Sequence, residues 1–149
     1  MFAVMPWTQQ TYDGLYEVFR QQIRNGALTY RGNVVWHFPE VSDGREEVFW
    51  HLTSREDKTT GDRLPDLRRC ERITWVRPLV HACPHADVLD WDYVEGDGTT
   101  KTYLWLPDDD FLVILKKYPD GRRRLVTSFW VEYEHKRREL RKKYDNRAP

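Results

Sequence analysis

Residues 88–131 read VLDWDYVEGDGTTKTYLWLPDDDFLVILKKYPDGRRRLVTSFWV, four extended segments separated by three short turns. Within the segments the pattern has period two, which is typical of β-strands with one buried face. The separators consist of Gly, Pro and Asp over lengths that suit hairpins. We therefore predict four consecutive antiparallel strands, Val88–Glu95, Thr99–Leu106, Phe111–Tyr118 and Arg122–Val131.

Helices are predicted on both sides of this β region. An apolar stripe at helical spacing runs through residues 9–25. A second helix begins at Pro65, which suits a first helical turn, and extends to about Val76, because Pro78 opposes its continuation. The chain closes with a basic helix from about Glu132 to Tyr144.

Two shorter apolar runs, within Tyr30–Phe38 and over Val48–Leu52, are predicted to be extended. The predicted fold class is α+β, with N-terminal helices followed by a four-stranded antiparallel β meander and a C-terminal basic helix. The chain of 149 residues has the length of one domain, 1–149. Its 40% hydrophobic residues, with 14% aromatic residues among them, are enough for a core and exclude a largely disordered chain.

Composition also limits the classes of function. No apolar run is long enough for a membrane span, and the first residues lack the basic region of a secretory signal. Two cysteines are too few for a disulfide framework, and as free thiols they indicate a reducing compartment, the cytoplasm. The 24 basic and 24 acidic residues cancel overall, which by itself argues against a nucleic-acid partner. However, residues 122–149 carry a net charge of +6 and the preceding residues −6, so a local basic surface is expected.

The strongest chemical candidate is the stretch FWHLTSR at residues 49–55, which holds His51 and Arg55. The pKa of an imidazole suits proton transfer near neutrality, and a guanidinium matches the geometry of a phosphate. Together they provide what phosphodiester cleavage requires. The alternative is a histidine at the edge of the core and an ordinary surface arginine.

The last strand contains a second candidate, the stretch LVTSFW at residues 125–130. If Leu125 and Phe129 point into the core, strict alternation directs Ser128 and Trp130 outward. A hydroxyl beside an exposed indole is suited to bind a phosphate and stack a base. The alternative is a half-buried strand in which these side chains have no special role.

Lysines on neighbouring strands are candidates for the same surface. Lys101 is one, and either Lys116 or Lys117 is another, because adjacent residues of a strand point to opposite faces. A third candidate site, His81, Cys83 and His85, has the ligand types of zinc. Its ligands alternate within one short stretch instead of forming two separated pairs, so a loop with incidental His and Cys is the favoured interpretation.

The order of elements, with a histidine before the sheet and Thr-Ser-Phe-Trp at residues 127–130, resembles a known group of nucleases. It is similar to the phage-associated members of the barnase, EndoU, colicin and RelE-like (BECR) ribonuclease superfamily, over roughly residues 12–144. Domains of this kind occur as toxins in prophages and mobile elements. The resemblance implies a metal-independent endoribonuclease without a cofactor, in which a 2′-OH attacks the adjacent phosphate.

The resemblance also implies roles for individual residues. His51 resembles the family histidine, and Ser128 with Trp130 resembles the Ser-x-Trp pair of a colicin-type tRNA-anticodon nuclease. The expected catalytic residues are His51, Thr127, Ser128 and Lys101. The expected RNA-binding residues are Arg55, Lys116, Trp130, Arg137 and Arg141.

The expected partners are RNA and a neutralising protein, either an antitoxin or an immunity protein, and no membrane. Two other classes of function stay open at this point. One is a non-catalytic RNA- or protein-binding module of a phage or mobile-element system that uses the same basic helix. The other is a zinc protein centred on His81, Cys83 and His85.

Overall fold

The computed structural model of the protein describes residues 1–149 and has a mixed α/β fold. Its α-helices are α1 Gln9–Phe19, α2 Glu47–Thr53, α3 Leu67–Glu71, α4 Ile73–Ala82 and α5 Glu134–Asp145. Its strands are β1 Leu28–Tyr30, β2 Asn33–Trp36, β3 Val41–Ser42, β4 Arg45–Glu46, β5 Ser54–Glu56, β6 Arg63–Pro65, β7 Leu89–Val94, β8 Thr100–Leu106, β9 Phe111–Lys117 and β10 Arg123–Trp130.

Six strands form one sheet with the order β1-β2-β10-β9-β8-β7. Strands β7 to β10 follow one another along the chain, and each pairs antiparallel with the next. The sheet is wider than the predicted four strands, because the β1–β2 hairpin adds to the edge of β10 through a parallel pairing. This pairing joins segments that are far apart in the chain, and the local periodicity of a sequence does not predict such a pairing.

The extended segment predicted over Val48–Leu52 is wrong, since these residues lie in helix α2. Val48, Phe49 and Leu52 are buried on one side of the helix, whereas His51 is exposed on the other. The spacing of the buried residues fits a helical face as well as it fits a short strand. An apolar run of this length does not distinguish the two by periodicity.

The predicted end of the second helix is also wrong. The helical segment breaks at Arg72, and α4 then continues through Pro78 to Ala82. Pro78 lies in the sixth position of α4 and is exposed, so its ring removes one hydrogen bond near the start of the helix without entering the core. At the start of α3, Asp66 accepts hydrogen bonds from the backbone N–H groups of Arg68 and Arg69.

The two faces of the sheet carry separate clusters of buried apolar side chains. Helices α1, α2 and α4 cover one face, where Leu15, Phe49 and Ile73 pack with Leu104 and Leu115 of the sheet. All five side chains are fully buried, so this layer is the main core. None of the five helices is both long enough and apolar enough to cross a membrane.

Helix α5 covers only part of the opposite face. Its Leu140 and Tyr144 pack on Trp91 and Tyr103, and Trp91 and Tyr103 stack on each other with ring centroids 5.2 Å apart. The apolar stripe of α5 is narrow, so one helix leaves the rest of this face uncovered. We call the uncovered part the open face.

Candidate nucleic-acid interface

Several side chains of the last strand point to a different face of the sheet from the one that strict alternation predicts. The register of β10 against β9 shifts between Leu125 and Thr127, so Val126 is the extra residue of a β-bulge. The bulge places Ser128 on the same face as Leu125, and the Ser128 side chain is fully buried. The prediction that Ser128 faces outward is therefore wrong. A hydroxyl within the core has no access to a phosphate at the surface.

We expect Ser128→Ala to leave the free energy of unfolding unchanged or to raise it by up to about 1 kcal/mol. The reason is that Ser128 Oγ is buried without a hydrogen-bond partner. Chemical denaturation measures the effect. The matched control is Thr53→Val, because Thr53 Oγ1 is also buried but donates a 2.9 Å hydrogen bond to the Phe49 carbonyl. The control is expected to lose about 1 kcal/mol. A larger loss for Ser128→Ala than for Thr53→Val would contradict this account.

Trp130 lies against α3 and not on the open face. The guanidinium of Arg68 is 5.0 Å from the centre of its ring, and that of Arg72 is 5.8 Å away. The ring is half-buried in this arrangement. The expected base-stacking role of Trp130 therefore competes with cation–π contacts that are already made.

Three cations form a row across the open face, and we call Lys101, Lys116 and Arg124 the cationic row. Lys101 of β8 lies directly opposite Lys116 of β9, which lies opposite Arg124 of β10. Residues directly opposite each other in neighbouring strands share a face, so the three charges point to the same side. At the two ends of the row, Tyr93 of β7 lies opposite Lys101, and Trp36 of β2 lies opposite Arg124. The structure thus selects Lys116 over Lys117 for this surface.

The cationic row has no carboxylate within ion-pair distance. The other face of the same strands shows the contrast, because Lys117 and Arg123 also lie opposite each other but share Asp92 at 3.0 and 3.2 Å. Like charges that face each other across strands destabilise a sheet. An anionic ligand would remove this cost, so the uncompensated row is the main electrostatic feature of the open face.

Aromatic side chains surround the Arg124 end of the row. The Arg124 guanidinium lies 4.2 Å from the centre of the Phe38 ring, and its Nε donates a 3.0 Å hydrogen bond to the Tyr118 hydroxyl. Lys116 lies 5.2 Å from the centre of the Tyr118 ring, and Trp36 packs beside Tyr118. Sequence reasoning missed these aromatics. The sequence showed only that the predicted strands Tyr30–Phe38 and Phe111–Tyr118 each end in an aromatic residue. The pairing of β2 with β10 brings these residues together.

His51 lies near the C-terminus of α2, where the helix meets β10. Its carbonyl oxygen accepts hydrogen bonds from Arg69 Nη1 at 2.9 Å and from Thr127 Oγ1 at 3.0 Å. Arg69 also donates to the Ser54 carbonyl at 2.8 Å. A cation at the last carbonyls of a helix is favourable, so Arg69 and Thr127 fix the position of the His51 backbone.

The surroundings of the His51 imidazole favour its neutral form. Desolvation by the surrounding side chains lowers the pKa of His51 below its ordinary value, and the positive charge of Arg63 lowers it further. Arg69 and Arg124 act in the same direction, whereas Glu47 opposes them. Arg124 belongs to the cationic row, so the histidine lies within the field of that row.

The remaining RNA-binding candidates lie in three different settings. Arg55 is exposed on β5. Burial is the main cause of the lowered pKa of Arg69, and the nearby charge of Arg55 lowers that pKa further. Arg137 is held by Asp110 at 2.8 Å and Glu134 at 3.1 Å, where it fixes the start of α5. These ion pairs compete with the expected role of Arg137 in binding RNA.

Arg141 is exposed and lies 5.3 Å from the centre of the Trp105 ring. Trp105 is four residues from Lys101 along β8, a distance of about 13 Å in a strand. Arg141, which belongs to α5, therefore lies away from the cationic row. Of the predicted residues, Thr127 contacts His51, and Lys101 lies beside Lys116 in the cationic row. Ser128, Trp130, Arg137 and Arg141 lie apart from both groups.

The residues of the zinc alternative do not converge. His81 Nε2 accepts a hydrogen bond from the Thr29 backbone N–H at 3.2 Å, and Cys83 is buried with its thiol directed to the Leu79 carbonyl. His85 Nδ1 accepts from the Asp87 backbone N–H. No group of three or more His, Cys, Asp or Glu side chains in the structure is arranged to hold a metal ion.

Comparison with protein-family models, with curated proteins and with solved structures gives no match for this chain. We therefore infer the function from the side chains on and beside the open face. It combines a row of three cations with a border of aromatic rings, and His51, whose pKa is lowered, lies where α2 meets the edge of β10. These groups suit a phosphodiester with unpaired bases.

Proposed function

We propose that this chain is an endoribonuclease, of the kind represented by the barnase, EndoU, colicin and RelE-like superfamily. The observation that carries the proposal is the His51 imidazole, whose pKa is lowered by desolvation and by cations that include Arg124, together with a cationic row that has no carboxylate within ion-pair distance. A base and a cluster of positive charge are the two requirements for attack of a 2′-OH on the adjacent phosphate. DNA lacks the 2′-OH and is not a substrate for this reaction.

In the proposed reaction, His51 takes the proton of the 2′-OH as a general base. The 2′-oxygen then forms a bond to phosphorus, the bond from phosphorus to the 5′-oxygen breaks, and that oxygen takes a proton from water. His51 releases its proton to the hydroxide that is left, which regenerates the neutral imidazole. The products are a 2′,3′-cyclic phosphate and a new 5′-hydroxyl. The lowered pKa of His51 favours this role at neutral pH, because the neutral form of the imidazole accepts the proton.

The cationic row stabilises the negative charge that develops on the phosphate. Lys101, Lys116 and Arg124 present three positive charges in one line, and Arg124 has the planar donor geometry that suits two phosphate oxygens. Thr127 has a different role from the one expected for it. Its hydroxyl proton is already donated to the His51 carbonyl, so Thr127 positions the histidine instead of binding the phosphate.

A digest of single-stranded RNA by the purified protein tests the proposal. We expect cleavage to persist with excess chelator, because side chains of the protein supply both the base and the positive charge. The products are expected to carry 2′,3′-cyclic phosphates, and a DNA strand of the same sequence is expected to stay intact. Cleavage that stops when chelator is added would overturn the proposed mechanism.

The cationic row also supports a second candidate function, an RNA-binding module without catalysis. Three charges and the neighbouring aromatic rings Trp36, Phe38 and Tyr118 suffice to hold an RNA strand whether or not it is cleaved. Salt-sensitive RNA binding without cleavage by pure protein would favour this function over the nuclease.

A toxin-like nuclease that is made inside a cell usually needs a neutralising protein. For this chain, the proposal places such a partner, an antitoxin or an immunity protein, over the cationic row in the cytoplasm. An acidic segment on the partner would compensate the three charges that lack a carboxylate in the structure.

A further inference from the structure

The cationic row is longer than one phosphate group. Neighbouring strands of a sheet lie about 4.8 Å apart, so the side chains of Lys101, Lys116 and Arg124 are spread over roughly 10 Å of the open face. Hydrogen bonds between a cationic nitrogen and a phosphate oxygen are about 2.8 Å long. A single phosphate therefore bridges two neighbouring cations of the row and leaves the third without a partner.

The three side chains of the row keep most of their hydrogen-bond donors for a ligand. They make a single hydrogen bond with the rest of the protein, from Arg124 Nε to the Tyr118 hydroxyl at 3.0 Å. The Phe38 ring, whose centre lies 4.2 Å from the Arg124 guanidinium, holds the same side chain in place. Both terminal nitrogens of Arg124 and the ammonium groups of both lysines are consequently free to bind an anion.

The middle of the row has space for an anion larger than one phosphate. A cavity of about 480 Å³ lies at Lys116, lined by the turn that joins β7 to β8 and by the end of β9. Asp92 is the only acidic side chain in its lining, and it is bound by Lys117 at 3.0 Å and by Arg123 at 3.2 Å. Because the charge of Asp92 is compensated by these partners, it opposes an anion in the cavity only weakly.

We infer that the cationic row binds linear oligophosphates, in which phosphate groups are linked directly to one another, as in a nucleoside triphosphate. A phosphodiester strand carries one charge per phosphate and separates its phosphates by sugars, whereas an oligophosphate concentrates its charge over the length of the row. Three linked phosphates can engage Lys101, Lys116 and Arg124 together, which compensates all three charges. A bound oligophosphate would also occupy the surface that holds RNA and inhibit cleavage, a consequence that rests on the proposed function.

Calorimetric titration with pyrophosphate and tripolyphosphate, at constant ionic strength and without divalent cations, tests the inference. Tripolyphosphate is expected to bind at least about tenfold more tightly than pyrophosphate, because a third charge-assisted contact forms. Lys101→Gln removes the cation at one end of the row, so this variant is expected to bind the two ligands equally. The matched control is Lys142→Gln, an exposed lysine of α5 outside the row, which is expected to keep the preference. Thermal unfolding of both variants checks the fold.

Two further probes identify the source of the oligophosphate, which is either a free nucleotide or the 5′ end of an unprocessed RNA. If the row serves free nucleotides, adenosine triphosphate is expected to bind as tightly as tripolyphosphate. If it serves RNA ends, a strand with a 5′-triphosphate is expected to bind at least about tenfold more tightly than adenosine triphosphate and than the same strand with a 5′-hydroxyl. If neither probe binds more tightly than pyrophosphate, the inference is wrong.

The outcomes separate this inference from the proposed function. Equal affinity of the wild type for pyrophosphate and tripolyphosphate, or a preference that survives in Lys101→Gln, overturns the oligophosphate site even if RNA is cleaved. A preference that depends on Lys101 in a protein without cleavage supports the site and overturns the nuclease. In an active protein, saturating tripolyphosphate is expected to stop cleavage, and an unchanged rate overturns the inhibition.

Discussion

RNA cleavage by His51→Ala is expected to fall by at least about 10²-fold, the typical contribution of a positioned general base. The variant removes the imidazole and leaves the hydrogen bonds to the His51 carbonyl, which hold α2 against β10. Because the side chain is exposed, the change is expected to have little effect on stability. The loss should therefore appear in the cleavage rate, measured with excess enzyme over RNA, and not in the fraction of folded protein.

The pH dependence of the wild-type rate gives an independent test of the same residue. A base acts in its unprotonated form, so the rate is expected to fall as the pH drops through the pKa of His51. That pKa lies below its ordinary value, and activity is therefore expected to be retained down to a lower pH than a surface histidine would allow. A rate that rises on acidification would instead assign His51 the role of the acid.

The matched control is His135→Ala. His135 is also exposed, but it stacks on Tyr133 near the start of α5, far from α2 in the chain. The control is expected to cleave RNA at the wild-type rate. If both variants retain full activity, the assignment of His51 as the base is wrong.

Lys116→Glu is expected to stabilise the fold and to weaken RNA binding. The new carboxylate would lie between Lys101 and Arg124, where two opposite-charge pairs replace two repulsive ones. Cross-strand pairs of this kind contribute about 0.2–1 kcal/mol each, so we expect the free energy of unfolding to rise by about 1 kcal/mol. The melting temperature would rise by about 3 °C in a chain of this size. A gain in stability with a loss of binding is characteristic of residues kept for function.

The neighbouring substitution Lys117→Glu is the control, and its expected effect on stability has the opposite sign. Lys117 points to the other face and forms a 3.0 Å ion pair with Asp92, whose side chain is only 19% exposed. A glutamate there would leave Arg123 as the only ion-pair partner of Asp92 and add a second negative charge beside it. We expect a loss of about 2 kcal/mol, since a poorly solvated carboxylate loses one partner and gains a repulsion.

Denaturant unfolding measures both stabilities, and titration with single-stranded RNA at several salt concentrations measures binding. The affinity of Lys116→Glu is expected to fall more than about tenfold, with a weaker dependence on salt, because fewer phosphates are neutralised. Lys117→Glu that remains folded is expected to bind RNA nearly as the wild type does. Destabilisation by Lys116→Glu, or unchanged RNA affinity, would contradict the function assigned to the cationic row.

Several features of the protein follow from its sequence because they depend on neighbouring residues. The alternation and turns of residues 88–131 predicted the segments that form β7 to β10, since hairpin pairing is local. The residue type of His51 and its polar neighbourhood identified it as a candidate without its secondary structure. The choice between Lys116 and Lys117 stayed open until the register of β9 was known.

Other features depend on contacts between distant segments. The bulge at Val126 reverses the side to which Ser128 points, and no local pattern marks that extra residue. The parallel pairing of β2 with β10 brings Trp36 to Arg124, and the packing of α2 on β10 brings His51 into the field of Arg124.

The sequence by itself determined the kinds of chemical group available, the four consecutive β segments and the basic end of the chain. Only the tertiary structure decided which of those groups share a surface. The physical reason is that the face of a strand residue changes with every single-residue shift in register, and register is set by packing and by long-range pairing. For this protein, register separated Ser128 from the site and aligned Lys101, Lys116 and Arg124 in one uncompensated row.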